Sequence, residues 1–245
     1  MRKLSGKTYW LVGASEGLGR ALAMKLSKAG VSLVLSARSA DSLQALADSL
    51  PGPARVVTCD VTDRASVVVA AEQAGAVDGL VFLAGVYWPF PATEWNAEQA
   101  EAMFDVNLTG AARVLGQVVP AMVARKAGHI VITGSLSGYR GLPGSIGYSS
   151  SKAGLMHLAE SMHADLRGSG VDVQLANPGF IRTRLTDKND FKMPFLMESD
   201  AAAEEMIQLM RGPKFQRAFP RLFSLVFRGA NFLPDWAYFR VFGGK

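Results

Sequence analysis

The sequence has few of the residues from which disulfide frameworks and metal sites are built. Its 245 residues include one cysteine, Cys59, and three histidines (His129, His157 and His163). A single cysteine excludes an intramolecular disulfide. The histidines lie among neighbours that supply no set of cysteine, histidine and carboxylate ligands, so we interpret them as structural. We therefore predict no metal site.

A long apolar run is missing at the N-terminus. The chain opens Met-Arg-Lys-Leu-Ser-Gly-Lys, and the apolar run that follows is short and contains Gly13. It resembles neither a signal peptide nor a transmembrane helix, so a cytoplasmic protein is the default expectation. Internal repeats and low-complexity segments are also missing. At this length the chain can form one large α/β domain with a sizeable core.

Acidic residues are nearly absent from the last part of the chain. Residues 211–245 contain seven basic residues and one acid, Asp235, which gives this segment a net charge of +6. Because the net charge of the whole chain is +5, the net charge of residues 1–210 is −1. The basic character therefore belongs to the tail and not to the body of the chain.

What the sequence does contain is an alternation of short apolar runs with segments of helical spacing. The apolar runs lie at 8–13, 31–36, 54–59, 78–83, 129–133 and 171–177. Helical spacing covers residues 17–29, 39–50, 62–74, 98–126, 147–168 and 199–211. Brief, continuous apolar runs are typical of buried parallel strands. The pattern predicts a Rossmann-type α/β fold, a doubly wound parallel sheet in three layers (α/β/α), as a single domain with a C-terminal helical extension.

The first predicted strand runs directly into a glycine-rich turn, which reads GASEGLG over residues 13–19. Glycines let a backbone approach a pyrophosphate closely, and the N-terminus of the following helix offers unpaired N–H groups and a positive dipole end. The spacing G-x-x-x-G-x-G differs from the more familiar G-x-G-x-x-G. Its position between a strand and a helix nevertheless predicts a dinucleotide site.

The end of the second predicted strand indicates which dinucleotide binds. Sites for NAD usually carry an acidic residue there to hold the ribose 2′-hydroxyl, whereas a basic residue pairs with the 2′-phosphate of NADP. This chain has Ala37 at that position, followed by Arg38 and Ser39. We predict NADP(H) as the cofactor, bound by Arg38, with Ser15 and Ser39 adding hydrogen bonds to phosphate.

Tyr148 and Lys152 are four positions apart, so on a helix they lie on one face, one turn from each other. A phenol alone titrates near pH ~10. A neighbouring ammonium favours the phenolate and lowers that pKa, and the pair can then act as a general acid/base. The same spacing also occurs on ordinary solvated helices, so the prediction depends on the other motifs.

In their order and separation these motifs resemble those of the short-chain dehydrogenase/reductase family, over nearly all of residues 6–210. The resemblance implies four catalytic residues: Asn107, Ser135, Tyr148 and Lys152. It implies that Ser135 polarises a substrate carbonyl oxygen and that Tyr148 gives this oxygen a proton. Lys152 would favour the tyrosinate and bond the nicotinamide ribose, and Asn107 would hold a water that links Lys152 to solvent.

The motifs and the resemblance together give a set of cofactor-binding residues near the ends of the predicted strands. They are Gly13, Ser15, Gly17, Leu18, Gly19, Arg38, Ser39, Asp60, Val61, Ala84, Gly85, Asn107, Tyr148, Lys152, Pro178, Gly179, Ile181 and Thr183. Asp60-Val61 would lie beside the adenine, and the residues from Pro178 onward near the nicotinamide.

The sequence departs from the family pattern in two places. Leu83 stands where the family commonly has an asparagine, a change that affects local rigidity more than chemistry. The C-terminus lacks the family's final strand, so we expect no strand after residue 211. We therefore distinguish a Rossmann-fold catalytic domain, residues 1–212, from an apolar and basic extension of the same domain, residues 213–245.

The resemblance implies an NADPH-dependent oxidoreductase that reduces a hydrophobic ketone or aldehyde reversibly, as a homodimer or homotetramer. Candidate pocket residues are apolar or aromatic: Val86, Tyr87, Trp88, Leu136, Tyr139, Leu142, Ile146 and Phe180. A predicted lid over residues 183–198 adds Leu185, Phe191, Met193, Pro194, Phe195 and Met197. Many of these residues can instead belong to the core or to an oligomer contact. The alternative function is a catalytically idle dinucleotide-binding sensor or scaffold.

The tail has two interpretations. Pro220 suits a helix start, and the segment that follows is nearly all apolar but too short to span a bilayer. Arg217, Arg221 and Arg228 fall on one side at helical spacing, as in an amphipathic helix at a membrane surface. A helix that covers the pocket or packs on a second subunit has the same pattern, and we prefer this second interpretation. Basic residues among bulky aliphatic ones argue against nucleic-acid binding.

Overall fold

In the computed structural model, which describes residues 1–243, seven parallel strands form one sheet. The strands are β1 (Thr8–Val12), β2 (Ser32–Ser36), β3 (Ala54–Val56), β4 (Gly79–Phe82), β5 (Gly128–Thr133), β6 (Val171–Pro178) and β7 (Gln216–Phe219). Their order across the sheet is β3-β2-β1-β4-β5-β6-β7. The order in which strands are added to the sheet reverses between β1 and β4. Open α/β sheets bind ligands beyond the carboxyl ends of the strands at such a point.

Helices cover both faces of the sheet. They are α1 (Gly17–Lys28), α2 (Ala40–Ser49), α3 (Arg64–Ala74), α4 (Ala97–Phe104), α5 (Gly110–Ala124), α6 (Ile146–Asp165), α7 (Ser199–Arg211), α8 (Arg221–Ala230) and α9 (Asp235–Phe242). One apolar core lies between the sheet and α3, α5 and α6, and a second lies between the sheet and α1, α2 and α7. Because the central strands are buried on both faces, they read as continuous apolar runs. The predicted three-layer α/β/α fold is confirmed.

The prediction that no strand follows residue 211 is wrong. Gln216–Phe219 forms β7, which pairs in parallel with the last four residues of β6, so the start of the predicted extension belongs to the sheet. This strand is short and its first residue is exposed, so it lacks the apolar run that marks β4 or β5. Backbone pairing with β6 decides its conformation, since strand propensity depends strongly on context.

The position of β7 also corrects the predicted arginine face of the tail. Arg217 lies on this strand, where its guanidinium contacts the carboxylate of Glu205 and donates a 2.7 Å hydrogen bond to Gln208, both on α7. Arg217 is therefore paired against the body of the protein. It does not share a helix face with Arg221 and Arg228, which lie on α8.

A buried polar network lies near the amino ends of the central strands. The Tyr9 hydroxyl lies 2.7 Å from Nδ1 of His129, and Nε2 of His129 lies 2.8 Å from Oε1 of Gln174. The amide nitrogen of Gln174 donates to backbone carbonyls at the end of α7 and just beyond it, so its Oε1 is the acceptor for the histidine. Burial, and after it the charge of Arg2, lowers the pKa of His129 to about 3. The imidazole is therefore neutral in the folded protein.

We expect the free energy of unfolding to fall as the pH drops below about 6.5, the ordinary pKa of a histidine. The pKa of His129 is depressed in the folded state, so the unfolded chain binds more protons in this range. Its contribution to stability is complete above pH ~6.5 and is lost progressively toward pH ~3, at about 1.4 kcal/mol per pH unit. Urea unfolding at pH 7 and pH 5 measures this as a difference of about 2 kcal/mol.

The matched control is the exposed His157. His129→Gln should flatten the dependence of stability on pH between 5 and 7, while His157→Gln should leave it unchanged. Equal slopes in the H129Q variant and the original protein would contradict the assignment.

Candidate active site

A cleft of about 560 Å³ opens at the carboxyl ends of the strands, where the turns after β1 and β4 meet. Gly13 has φ +95°, and a Cβ atom there would lie 2.5 Å from the backbone nitrogen of Ala84. Gly17 has φ +52°, and its Cβ atom would lie 2.8 Å from Cγ2 of Thr183. Only glycine permits these two approaches, because L side chains rarely adopt such φ values. The glycines of the turn are therefore required for the shape of the cleft.

The first turn of α1 faces this cleft. The Glu16 side chain, although at the cap position, makes no capping hydrogen bond, and the first turn carries no acidic residue. The backbone N–H groups of this first turn are thus available to an anion, and the helix dipole favours an anion there. A dinucleotide pyrophosphate fits this arrangement.

The cleft gathers residues from turns that are far apart in the sequence. The predicted cofactor residues that line it are Gly13, Ser15, Gly17, Leu18, Gly19, Arg38, Ser39, Asp60, Val61, Ala84, Gly85, Tyr148, Lys152, Pro178, Gly179, Ile181 and Thr183. The remaining member, Asn107, does not line the cleft and is fully buried. Thr133, Gly134 and Arg184 line it without having been predicted. Thr133 ends β5 and Gly134 follows it, so both can be predicted from the tendency of α/β sheets to bind ligands at the carboxyl ends of their strands. Arg184 has no comparable sequence signal.

The adenosine end of the cleft combines Arg38 with an absent carboxylate at the end of β2. Ala37 lines the cleft where an acid would stand, and Arg38 is exposed at its rim. Ser39 caps α2 by accepting a hydrogen bond from the backbone of Ser42. Burial acts to raise the pKa of Asp60. Hydrogen bonds from Thr62 and the charges of Arg38 and Arg113 outweigh it and hold this pKa below its ordinary value.

Tyr148 and Lys152 lie one turn apart on α6, as their spacing predicts. Nζ of Lys152 donates a 2.9 Å hydrogen bond to the carbonyl oxygen of Thr133 and lies 5.7 Å from the centroid of the Tyr148 ring. Ser135 follows β5, and its side chain lies near enough to the Tyr148 hydroxyl to act on the pKa of that phenol. The ends of β5 and α6 thus bring three of the four predicted catalytic residues together.

The predicted effect of Lys152 on the pKa of Tyr148 is not observed. Burial raises the pKa of Tyr148 to about 12, with the Ser135 hydrogen bond acting in the opposite direction and Tyr87 adding to the rise. Burial also lowers the pKa of Lys152 to about 8. The prediction considered charge alone, whereas desolvation dominates both groups. The resting form of Tyr148 is therefore the protonated phenol, which is the form that donates a proton.

Asn107 lies in a π-helical turn, Asp105–Thr109, that interrupts the helix predicted over 98–126. Its Oδ1 accepts the N–H of Val86 at 2.8 Å, and its Nδ2 donates to the Val86 carbonyl and to Oγ of Ser151. The side chain therefore ties the segment after β4 to α6, which carries Tyr148. π turns are rare and occur frequently at functional sites. These contacts give the Asn107 side chain a positioning role.

A second cavity, of about 140 Å³, adjoins the cleft. Tyr148, Gly179, Leu185 and Thr186 line both cavities, and Ser135 lines the smaller one. The other predicted pocket residues that line the smaller cavity are Tyr87, Leu136, Leu142, Phe180 and Phe191. Tyr148 thus stands in the wall between the larger cleft and a smaller, mainly apolar cavity.

The rest of the predicted pocket set lies elsewhere. Val86 lines the larger cleft, and those that line neither cavity are Trp88, Tyr139, Ile146, Met193, Pro194, Phe195 and Met197. Tyr139 packs against the main core, and Trp88 and Ile146 pack against a small apolar cluster beside α4. For Tyr139, Trp88 and Ile146 the alternative interpretation, packing in the core, is the correct one.

The tail covers the apolar cavity. Phe223 and Phe227 of α8 line it, although neither was predicted as a pocket residue. Phe223 stacks on Phe195 of the lid with ring centroids 5.4 Å apart and lies 5.8 Å from Phe180. A pattern of apolar residues in a tail does not indicate which helix faces which cavity, so the sequence alone gives no signal for this contact.

The segment predicted as a lid is anchored to both sides of the cleft. Arg184 forms a 2.5 Å salt bridge with Glu16 of the glycine turn. Asn189 accepts a hydrogen bond from the Tyr87 hydroxyl at 3.0 Å, and Lys188 donates to the Tyr87 carbonyl at 2.8 Å. These contacts hold residues 183–189 over the two cavities.

No group of three or more Cys, His, Asp or Glu side chains among residues 1–243 is placed to hold a metal ion. In the same residues, no helix has the length and apolar character needed to cross a membrane.

Known proteins are similar to this chain in both sequence and fold. The family model described as short chain dehydrogenase matches residues 7–193. An uncharacterized oxidoreductase of Myxococcus xanthus (strain DK1622) is 40% identical over 244 residues, with 96% of each chain covered. A short chain dehydrogenase/reductase from Burkholderia phymatum, solved in complex with NAD, is 25% identical with a TM-score of 0.85, covering 93% of this chain and 94% of that one. A short-chain dehydrogenase from Sphingobium yanoikuyae, solved in complex with NADPH, is 25% identical with a TM-score of 0.82, covering 91% of each chain.

Proposed function

Because this chain belongs to the short-chain dehydrogenase/reductase family of oxidoreductases, we propose that it reduces hydrophobic ketones or aldehydes with NADPH. The observation that carries the proposal is the position of Tyr148 in the wall between the larger cleft and the apolar cavity, with Ser135 lining the same apolar cavity. A proton donor at this boundary can reach a group that enters from either side.

The cleft supplies what a dinucleotide needs. The uncapped first turn of α1 suits the pyrophosphate. Because Gly13 has no side chain, the turns after β1 and β4 can lie close together at this end of the cleft. Thr133 lines the cleft near Lys152, and its hydroxyl oxygen is buried with no hydrogen-bond partner among residues 1–243. A buried polar atom without a partner is costly, so a ligand group that bonds it is favoured. When bound, NADPH supplies the hydride for the carbonyl carbon.

The protein residues handle the carbonyl oxygen and its proton. Ser135 donates a hydrogen bond that holds the oxygen, and the Tyr148 hydroxyl transfers its proton to it. The Lys152 ammonium then stabilises the phenolate that remains on Tyr148. Because its pKa is about 8, Lys152 can exchange protons near neutral pH. Asn107 keeps α6 in register with the segment after β4 through its bonds to Ser151 and Val86.

The preference for NADPH is supported by the adenosine end of the cleft. Arg38 stands at its rim, and Ala37 leaves no carboxylate to repel a 2′-phosphate. A guanidinium pairs well with phosphate oxygens through two parallel hydrogen bonds. The two solved relatives hold NAD and NADPH respectively, so the proposal depends on the residues of this chain and not on the relatives.

The substrate class is supported by the walls of the smaller cavity. Phe180, Phe191, Phe223 and Phe227 contribute aromatic rings to it. None of its lining residues is a lysine or an arginine, so the cavity provides no cation for an anionic substrate. An apolar carbonyl compound therefore fits it best.

A carbonyl screen tests this proposal. The purified protein is mixed with NADPH and a panel of aliphatic, aromatic and polycyclic ketones and aldehydes, and the absorbance of NADPH is followed. We expect turnover with apolar members of the panel and little with charged ones. Turnover confined to charged carbonyls would contradict the substrate class. Binding of NADPH without turnover of any member would favour the sensor or scaffold alternative.

A further inference from the structure

The outer face of the two C-terminal helices is apolar and exposed. On the inner face of α8 and α9, Phe223, Ser224 and Tyr238 are buried. The outer face of the helices and the turn between them carry Leu222, Leu225, Val226, Phe232, Trp236 and Phe239. Phe232 is 88% exposed and Trp236 is 74% exposed, so these large side chains contact little of the described chain. Apolar side chains concentrated in this way mark an interaction surface.

The same face carries positive charge. Arg221, Arg228 and Arg240 are all exposed, and no carboxylate of residues 1–243 lies within salt-bridge distance of them. The one acid of the two helices, Asp235, forms a 2.5 Å salt bridge with Arg140 of the body. The partner of this face must therefore accept apolar side chains and supply negative charge.

We propose that this face docks on the surface of an anionic lipid membrane. Amphipathic helices that lie in the membrane interface combine an apolar face, aromatic residues and flanking arginines. The negative surface of such a membrane attracts juxtaposed arginines. No helix of residues 1–243 can cross the bilayer, so the contact is peripheral.

Charge favours a membrane over a second copy of the chain. In a symmetric dimer the same patch lies on both sides of the interface, so Arg221, Arg228 and Arg240 would face their own counterparts. Like charges at an interface are unfavourable. An anionic headgroup layer neutralises all three arginines while the apolar side chains enter the lipid.

The docked face lies on the opposite side of α8 from the apolar cavity. Phe223 and Phe227 line the cavity from the inner side of α8, while Leu222 and Val226 of the same helix are exposed on its outer side. Phe195, which stacks on Phe223, is also 54% exposed. The membrane contact therefore lies one helix away from the proposed substrate cavity. The docking proposal does not depend on the reaction that occurs there.

Vesicle co-sedimentation of the full chain tests the proposal. One set of vesicles contains phosphatidylcholine alone, and the other contains equal parts of phosphatidylcholine and phosphatidylglycerol. We expect the protein to sediment with the anionic vesicles and much less with the neutral ones. The bound fraction should decrease as salt is added, because salt screens the headgroup charge.

Two double variants separate the apolar and the charged contributions. Phe232→Ser with Trp236→Ser should lower partitioning by at least about tenfold, since two large apolar groups no longer enter the lipid. Arg221→Gln with Arg228→Gln should lower it by about 30-fold, from about 1 kcal/mol for each arginine near the surface. Matched controls are Val69→Ser with Trp95→Ser, at 50% and 58% exposure, and Arg64→Gln with Arg167→Gln, both exposed. The controls should bind as the original chain does.

Three results would overturn the proposal: no sedimentation with either kind of vesicle, equal sedimentation with both kinds, or control variants that lose as much binding as the test variants. Sedimentation velocity supplies an independent readout. The F232S/W236S variant should keep the oligomeric state of the original chain. If the F232S/W236S variant dissociates and the original chain does not sediment with vesicles, the face is an interface between copies and the membrane proposal is wrong.

Discussion

Tyr148→Phe is expected to lower kcat for carbonyl reduction by about 10³-fold, within the range of about 10²–10⁴ for removal of a general acid. The substitution removes only the hydroxyl that gives a proton to the substrate oxygen. The ring keeps its place between the two cavities, so the affinity for NADPH should change little. Steady-state kinetics with the best substrate of the carbonyl screen, together with NADPH titration by fluorescence, measures both quantities.

Tyr87→Phe is the matched control. Tyr87 also lines the apolar cavity, with its ring edge-on to Tyr148 at a centroid distance of 5.0 Å, and its hydroxyl donates to Asn189 of the lid. Loss of that hydroxyl should act mainly on KM and leave kcat within about tenfold, because no proton of the reaction comes from it. A Y148F variant that keeps a tenth or more of the original kcat would show that Tyr148 is not the acid.

Arg38→Asp is expected to shift the ratio of kcat/KM for NADPH over NADH by about 100-fold in favour of NADH. The substitution would remove the charged hydrogen bond between the guanidinium and the 2′-phosphate, which is worth about 1.5–3 kcal/mol. The new carboxylate would repel that phosphate and can accept the 2′-hydroxyl of NADH. Initial rates with each cofactor under otherwise equal conditions give the ratio.

The control for this prediction is Arg20→Asp, which makes the same change of charge. Arg20 is exposed on α1 and does not line the cleft. It should leave the cofactor ratio unchanged. If R38D and R20D shift the ratio equally, overall charge is responsible. If neither shifts it, the proposed NADPH preference has lost its physical basis.

The sequence predicted most of the sheet because the interior strands are buried on both faces and therefore appear as apolar runs. It missed β7, whose exposed Gln216 breaks the pattern and whose conformation is decided by pairing with β6. The positions of the cofactor residues followed from one topological rule: parallel strands end at the same edge of the sheet. Ser135 and Gly179, which the family resemblance implied, agree with this rule: they lie close after the ends of β5 and β6 and line the cavities.

The rest of the site depends on packing that sequence spacing does not describe. The spacing of Tyr148 and Lys152 gives their shared helix face, but their pKa values are decided by burial, which only the assembled structure provides. Asn107 was predicted within one continuous helix, and the π turn that interrupts this helix and directs the side chain to Val86 has no simple sequence signal. Phe223 reaches the cavity because α8 directly follows β7 and packs against it, an arrangement that the tail composition does not reveal.

The small cavity takes its far wall from residues 183–191 and from α8, neither of which belongs to the sheet. The near wall, with Ser135 and Tyr148, is fixed by β5 and α6. The residues proposed to select the substrate and those proposed to carry the chemistry therefore belong to different parts of the chain. We expect that Phe191 or Phe227 can be exchanged for smaller or more polar side chains, and so admit new substrates, without disturbing the residues proposed to move the proton or the apolar cores on the two faces of the sheet.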